Sequence, residues 1–296
     1  MKKLSATLFT AALLAACGGG SGSATGVDVV SGVRIQATSS AAATASAKAT
    51  DPVPAGLAMA DQDGTVFVMD TARASVKDVE IELPEGMECE DSEDDIASEL
   101  LTCESVDDSF AIKGPFVLDL IAGTSTPDIS AVGLPSGTYS HVAVKFEEAE
   151  VEDGLVPAED PLAGHTIYLS GTFKFDPNDA GETEKTFEML LKFSEEAEFA
   201  NVAGATIDSL AADDLILSLD VASWFSALPI TSCITNGDLQ VVDNHLMISD
   251  ATGDCQNLED TLKEAIKGSA ELDDDHHDEG SDDGSDDGNE DEGADN

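Results

Sequence analysis

The sequence predicts an all-β fold, an antiparallel β-sandwich or partly closed barrel with one or two short helices. Three observations lead there. Apolar residues recur at every second position in several runs, turn-forming Pro, Gly, Asn and Asp segments separate those runs, and few stretches carry helical spacing. A parallel α/β sheet would need strands alternating with helices, which the pattern lacks.

The chain opens on Lys2-Lys3, an apolar run from Leu4 to Leu14, and the junction Leu14-Ala15-Ala16-Cys17-Gly18. The run is too short to span a bilayer and ends on small residues, as a cleaved export signal does. A small-small-Cys junction before a glycine spacer predicts removal of residues 1–16 and lipidation of Cys17; the alternative is an ordinary secretory signal in which Cys17 is incidental. Several acyl chains, each CH₂ contributing about 0.8 kcal/mol, would anchor the protein without a membrane-spanning helix. Gly18 in place of Asp after the acylated Cys favours the outer membrane of a Gram-negative envelope, facing the periplasm or the cell surface.

Residues 17–54 are rich in Gly, Ser, Ala and Thr and read as a flexible tether. Within them, Val27 to Ile35 is a short β-like run, either part of the tether or an edge strand of the folded body. The body is expected over 55–270, roughly 210 residues and one domain.

Past Pro54 the period becomes two. Val66 and Val68 form one run, and Val76, Val79, Ile81 and Leu83 the next, with the break in alternation marking a bulge near Lys77-Asp78. Residues 92–102 read as a helix, with Ser92 as cap, Asp95 three positions on, and Ile96, Leu100 and Leu101 as its apolar stripe. Further strands are predicted at Phe110–Ile112, Phe116–Ile121, Tyr139–Phe146, Thr166–Phe175, Phe187–Phe193 and Leu215–Val221. Pro135-Ser136-Gly137 and Asp176-Pro177-Asn178-Asp179 supply turns between them. Asn257 to Lys267 reads as the second helix, with Leu258, Leu262 and Ile266 on one face and Gly268 as its stop.

After Leu272 the chain is nearly all acid and glycine, so 271–296 is expected to be a disordered acidic tail. The tail holds 14 of the 61 acidic residues, leaving a body that is itself strongly acidic at a net charge of −48 for the chain. That sign repels phosphate backbones, so nucleic acid is excluded as a partner; the membrane is reached through the lipid anchor. Any protein or polysaccharide partner is not specified. Dense carboxylates also suit a salty habitat, where they keep a protein hydrated.

Setting Cys17 aside leaves four cysteines. Two disulfides are expected, because an oxidising compartment pairs such thiols and no ligand spacing fits a zinc site; four cysteines allow three connectivities, of which the sequence-local pairs Cys89 with Cys103 and Cys233 with Cys255 are favoured.

The segment Phe116-Val117-Leu118-Asp119-Leu120, followed by Leu134-Pro135-Ser136-Gly137-Thr138-Tyr139 and the alternating Ser140 to Phe146, resembles the central signature of bacterial lipoproteins typed as domain of unknown function 4382. The resemblance covers about half the mature body. It departs from the pattern at the start of the domain, where Asp70-Thr71-Ala72 only loosely echoes the family's Asp-Ala-Pro turn. It implies an exported β-sandwich and supplies no catalytic residues. In the turn itself, Pro135 pre-sets φ, Gly137 can take positive φ, and Tyr139 can bury its ring while its hydroxyl reaches backbone, in the manner of a tyrosine corner.

No nucleophile elbow, HExxH, Walker loop or GxGxxG occurs, so no catalytic residue is named and the protein is read as a non-enzymatic binding or structural module. His141, His165 and His245 read as surface histidines, and Trp224, after an Asp220 cap, as core. The first alternative function is divalent-cation buffering by the tail, with Ca²⁺ the one cofactor candidate. An EF-hand register from Asp275 places Glu279, Gly280 and Asp286 correctly but puts His277 at a ligand position. An extracellular hydrolase is the second alternative.

Overall fold

The computed structural model describes residues 31–38, 56–89, 98–104, 108–176, 179, 181–207 and 214–274. The organising element is β3 (Val66–Glu82), a 17-residue strand that joins two of the predicted runs into one. The predicted bulge is present, between Val76 and Asp78. It inserts one residue, so Val76, Val79 and Ile81 all stay buried despite their uneven spacing.

Along one edge β3 pairs with β2 (Leu57–Ala60) and then β5 (Ser109–Asp119). Along the other it pairs first with β8 (Ile167–Phe173) and then, across the bulge, with β7 (Gly137–Phe146). Beyond β8 the sheet continues through β9 (Lys185–Leu191), β13 (His245–Met247) and β12 (Val241–Val242); beyond β7 lies β10 (Glu195–Ile207). β4 (Leu101–Glu104) and β6 (Thr124–Thr126) flank β5, which makes eleven strands. The pairing is antiparallel except between β9 and β13.

A second sheet holds β1 (Val33–Thr38), β11 (Leu215–Asp220) and β14 (Ala270–Asp274), with β1 parallel and β14 antiparallel to β11. Val33, Ile35, Leu215, Leu217 and Leu219 from this sheet join the same core as Phe67, Phe116, Phe146, Phe187 and Phe199 from the large one. Two sheets facing a shared apolar interior make this an all-β sandwich, and among the described residues no ladder closes them into a barrel. The sheets are also linked by backbone, with Val33 N–H donating to the Ile129 carbonyl and Ala37 N–H to that of Leu120.

Three short helices close the core. α1 (Val221–Ser226) is capped by Asp220, whose carboxylate accepts from Ala222 N–H, and it places Trp224 in the interior with its indole N–H on Ser269 Oγ at 2.6 Å. α2 (Ile230–Asn236) begins at Pro229, which cannot cap by side chain. Its cap comes from the β2–β3 hairpin: Asp61 Oδ2 accepts from Thr231 N–H and Oγ1, and Asp63 accepts from Ser232 N–H and Oγ. α3 (Leu258–Lys267) buries Leu258, Leu262 and Ile266 as predicted, though Asn257 makes no side-chain cap bond.

Both expected disulfides are present, Cys89–Cys103 and Cys233–Cys255. Several expectations need correction. Residues 92–97 of the predicted first helix lie outside the described residues, but its C-terminal end is strand: Leu101 and Cys103 pair with Ile112 and Phe110 in β5. A ladder and a buried Leu101 outweigh a local helical stripe, because they satisfy backbone groups and remove apolar surface together. In the first part of β3 the phase is opposite to that read from Val66 and Val68; Phe67 and Met69 face the core and the valines are only half buried. The larger side chains bury more area, which decides the face.

The body also extends further at both ends than 55–270. Residues 33–38 form β1, resolving the choice at Val27 to Ile35 in favour of a strand for the described part, and β14 carries the ladder into the acidic segment as far as Asp274. Gly137 serves a different purpose from the one predicted. It is not in the positive-φ region; a Cβ there would sit 2.4 Å from Pro84 Cγ, so a close approach requires glycine.

Candidate functional site

A cavity of about 200 Å³ opens at the seam between the two sheets, where β1 faces the β5–β6 hairpin and the loop after it. The loop is fixed to the start of β1 by backbone bonds, since Gly133 and Leu134 N–H both donate to the Ser31 carbonyl. Gly32 packs so closely that a Cβ would meet the Ser130 carbonyl carbon at 2.1 Å. Ile35, Leu118 and Ile129 supply buried apolar wall, while Thr124, Ser125, Asp128 and Ser130 bring polar groups to the same space.

Arg34 is the charged residue of that wall and one of only two arginines in the chain. Its Nη2 is paired with Asp214 Oδ2 at 2.5 Å. Its Nε is buried and has no hydrogen-bond partner among the described residues. A buried donor left unpaired costs about 1–3 kcal/mol, more when it belongs to a cation. Across the cavity, Asp128 Oδ1 accepts from Ser130 Oγ at 2.7 Å and Ser130 N–H at 2.9 Å. Those bonds, with a smaller contribution from the Arg34 charge, hold the Asp128 carboxyl below the usual carboxylate range.

No protein-family model, curated protein or solved structure matches this chain. The functional reading therefore rests on the chain's own residues.

A second concavity, about 310 Å³, lies beside the β3 bulge and is lined by Lys77, Asp78, Glu147, Glu148, Glu150 and Asp153 among others. Lysines answer several of these acids: Lys77 pairs with Glu147, Lys192 with Glu148 and Lys113 with Asp78. Among the described residues no group of three or more His, Cys, Asp or Glu is placed to hold a metal ion.

The histidines are dispersed over separate elements. His141 on β7 lies 3.8 Å from Glu198, His165 bonds the Pro161 and Ala163 carbonyls through Nδ1, and His245 on β13 bonds Thr186 Oγ1. Tyr139 is fully buried and its hydroxyl donates to the Pro135 carbonyl at 2.6 Å, the tyrosine-corner arrangement expected. Burial pushes that phenol far up, in keeping with a structural role. Cys17, Asp275, Glu279 and Asp286 lie outside the described residues.

Sequence reasoning missed Arg34 because it stood in a stretch read as tether. A signal was present: an arginine, rare in this chain, between Val33 and Ile35 at strand spacing.

Proposed function

We propose that this protein is an exported, lipid-anchored module of the bacterial envelope that binds a ligand or partner and does not catalyse a reaction. The observation that carries the proposal is the cysteine arrangement. Four of the five cysteines form two disulfides, and the remaining one is Cys17, at the position a lipoprotein signal reserves for acylation. Cytosolic thiols are kept reduced, so a paired set of this kind supports an oxidising compartment. A binding role is supported by the seam cavity, which brings apolar and polar side chains to one opening of about 200 Å³.

Membership of the lipoprotein family typed as domain of unknown function 4382 belongs to the same proposal. It rests on the sequence motif alone, Phe116 to Leu120 followed by Leu134 to Tyr139 and the alternating Ser140 to Phe146. The cavity wall begins 16 residues after Cys17, which places it within about 55 Å of the lipid surface even with the intervening chain fully extended.

The test is mass spectrometry of the protein from its native membrane, with a thiol titration beside it. The expected result is a mature N-terminus at acylated Cys17 and no free thiol, with Cys17→Ser released to the soluble fraction. An unprocessed chain, or free thiols on Cys89, Cys103, Cys233 and Cys255, would overturn it.

A further inference from the structure

We infer that the open half of the large sheet's outer face is a docking surface for a second copy of this chain. The inference goes beyond the export reading and stands without it. Residues paired directly across a ladder share a face of the sheet. The register therefore aligns Ala58 (β2), Val68 (β3), Thr172 (β8), Thr186 (β9), His245 (β13) and Val242 (β12) in one row across six strands. The row lies on the side away from the core, because Phe67, Phe173, Phe187 and Leu246 next to it in sequence are buried. A solvated sheet face is ordinarily polar, and a quarter of this chain is charged, yet the row carries no Asp, Glu, Lys or Arg. It ends on Val242, at 59% the most exposed large apolar side chain among the described residues. The other half of this face already has a cover, since Ala149, Val156 and Leu162 of the segment between β7 and β8 pack on Val117 and Tyr168.

Charge selects the occupant. Two chains of net charge −48 repel one another, and this row lets them meet without setting carboxylate against carboxylate. Its borders are complementary. Lys174, two residues past Thr172 and so on the same face, lies on one side of the row. Asp70 and Glu188 flank Ser170 on the other side. A two-fold axis along the row turns each copy's Lys174 over the other copy's Ser170, between Asp70 and Glu188. The contact is then self-complementary, with the strands of the two copies aligned across it. Six strands about 4.8 Å apart and three rows about 6.8 Å apart make a face of roughly 24 by 20 Å. Two such faces bury roughly 1,000 Å², the size at which an interface becomes specific.

The test is sedimentation equilibrium of the full chain in low salt and in about 1 M salt, where the Debye length is about 3 Å. The expected result is a monomer–dimer equilibrium that tightens with salt, because screening relieves the mutual repulsion. Val242→Asp and Thr172→Asp should each weaken the dimer tenfold or more. Lys174→Glu should do the same, and adding Glu188→Lys to it should restore the dimer. Val242 is exposed, so Val242→Asp is expected to keep the wild-type unfolding midpoint by Trp224 fluorescence and reports on the interface even if another variant fails to fold. A monomer at every concentration and salt overturns the inference, whether or not the face then retains an uncharged glycan. A dimer that Val242→Asp leaves unaltered overturns it too, as does a Lys174→Glu defect that Glu188→Lys does not relieve in a folded double variant.

Discussion

Arg73 Nη1 donates to both carboxylate oxygens of Asp160, at 2.8 and 2.9 Å, across 87 residues of sequence. Arg73 stands on the outer face of β3, and Asp160 belongs to the segment between β7 and β8, so the pair pins that segment onto the sheet. Beneath it a small apolar cluster of Val117, Ala149, Val156 and Leu162 is buried apart from the main core. With side-chain exposures of 26% and 14%, the pair is shielded enough to contribute more than a surface ion pair.

Replacing Asp160 with Asn should therefore destabilise the protein by about 1–3 kcal/mol and loosen one region more than the rest. Hydrogen exchange reads this directly. Amides of 149–165, such as Ala149 and His165, should lose protection while those of β5 and β7 keep theirs; uniform loss would contradict the pinning role.

The α2 cap supplied by Asp61 makes a second prediction. Asp61 is buried and accepts four hydrogen bonds, from Asp63 N–H, Thr65 N–H, Thr231 N–H and Thr231 Oγ1, thereby tying the β2–β3 turn to a helix 170 residues away. Asp61→Ala should cost about 2–3 kcal/mol, above the ~1 kcal/mol of an ordinary helix cap, because it removes four hydrogen bonds at once and leaves the buried Thr65 N–H unpaired. Denaturant unfolding followed by the single tryptophan, Trp224, measures the change.

The disulfides close loops of 14 and 22 residues. Loop-closure entropy predicts a loss of about 3 kcal/mol for removing either one. The double variant Cys233→Ala with Cys255→Ala adds a cavity at the fully buried Cys233, so its loss should exceed that of the Cys89–Cys103 pair, whose Cys103 is only half buried. Thermal unfolding of the two double variants ranks them.

Acid should release the turn between β8 and β9. The Glu182 carboxyl is drawn down from 4.5 to about 2, first by the Lys185 ammonium that donates to it and then by the backbone N–H groups of Asp176 and Phe175. A carboxyl depressed in the folded state contributes stability above its unfolded value, and that contribution is lost as pH falls through the folded one. Unfolding of the wild type and of Glu182→Gln should thus differ at neutral pH, with the difference shrinking from about pH 4.5 downward and gone below about pH 2. A difference independent of pH would remove the ion pair from the explanation.

Where alternation was carried by large side chains, the elements were legible. Val142, Val144 and Phe146 in β7, and Phe187, Met189 and Leu191 in β9, are buried in the predicted phase. β10 was missed because Glu195-Glu196-Ala197-Glu198-Phe199 alternates with small Ala197 between acids, which is a weak apolar signal. α2 was missed because its cap is not in its own sequence. The candidate site was hidden for a similar reason: Arg34 and Asp128 are 94 positions apart, and only the seam brings them to one cavity.

The sequence by itself determined the all-β class, the bulge in β3, the Tyr139 corner and the α3 face, because each depends on local spacing, while the structure selected the favoured one of three cysteine connectivities. Tertiary structure alone decided that β1 belongs to the folded body, that Leu101 to Glu104 is strand, and that Arg34 and Asp128 line one cavity. Those outcomes follow from long-range ladders and shared burial, whose free energy is set by partners far along the chain and is therefore absent from any local window of residues.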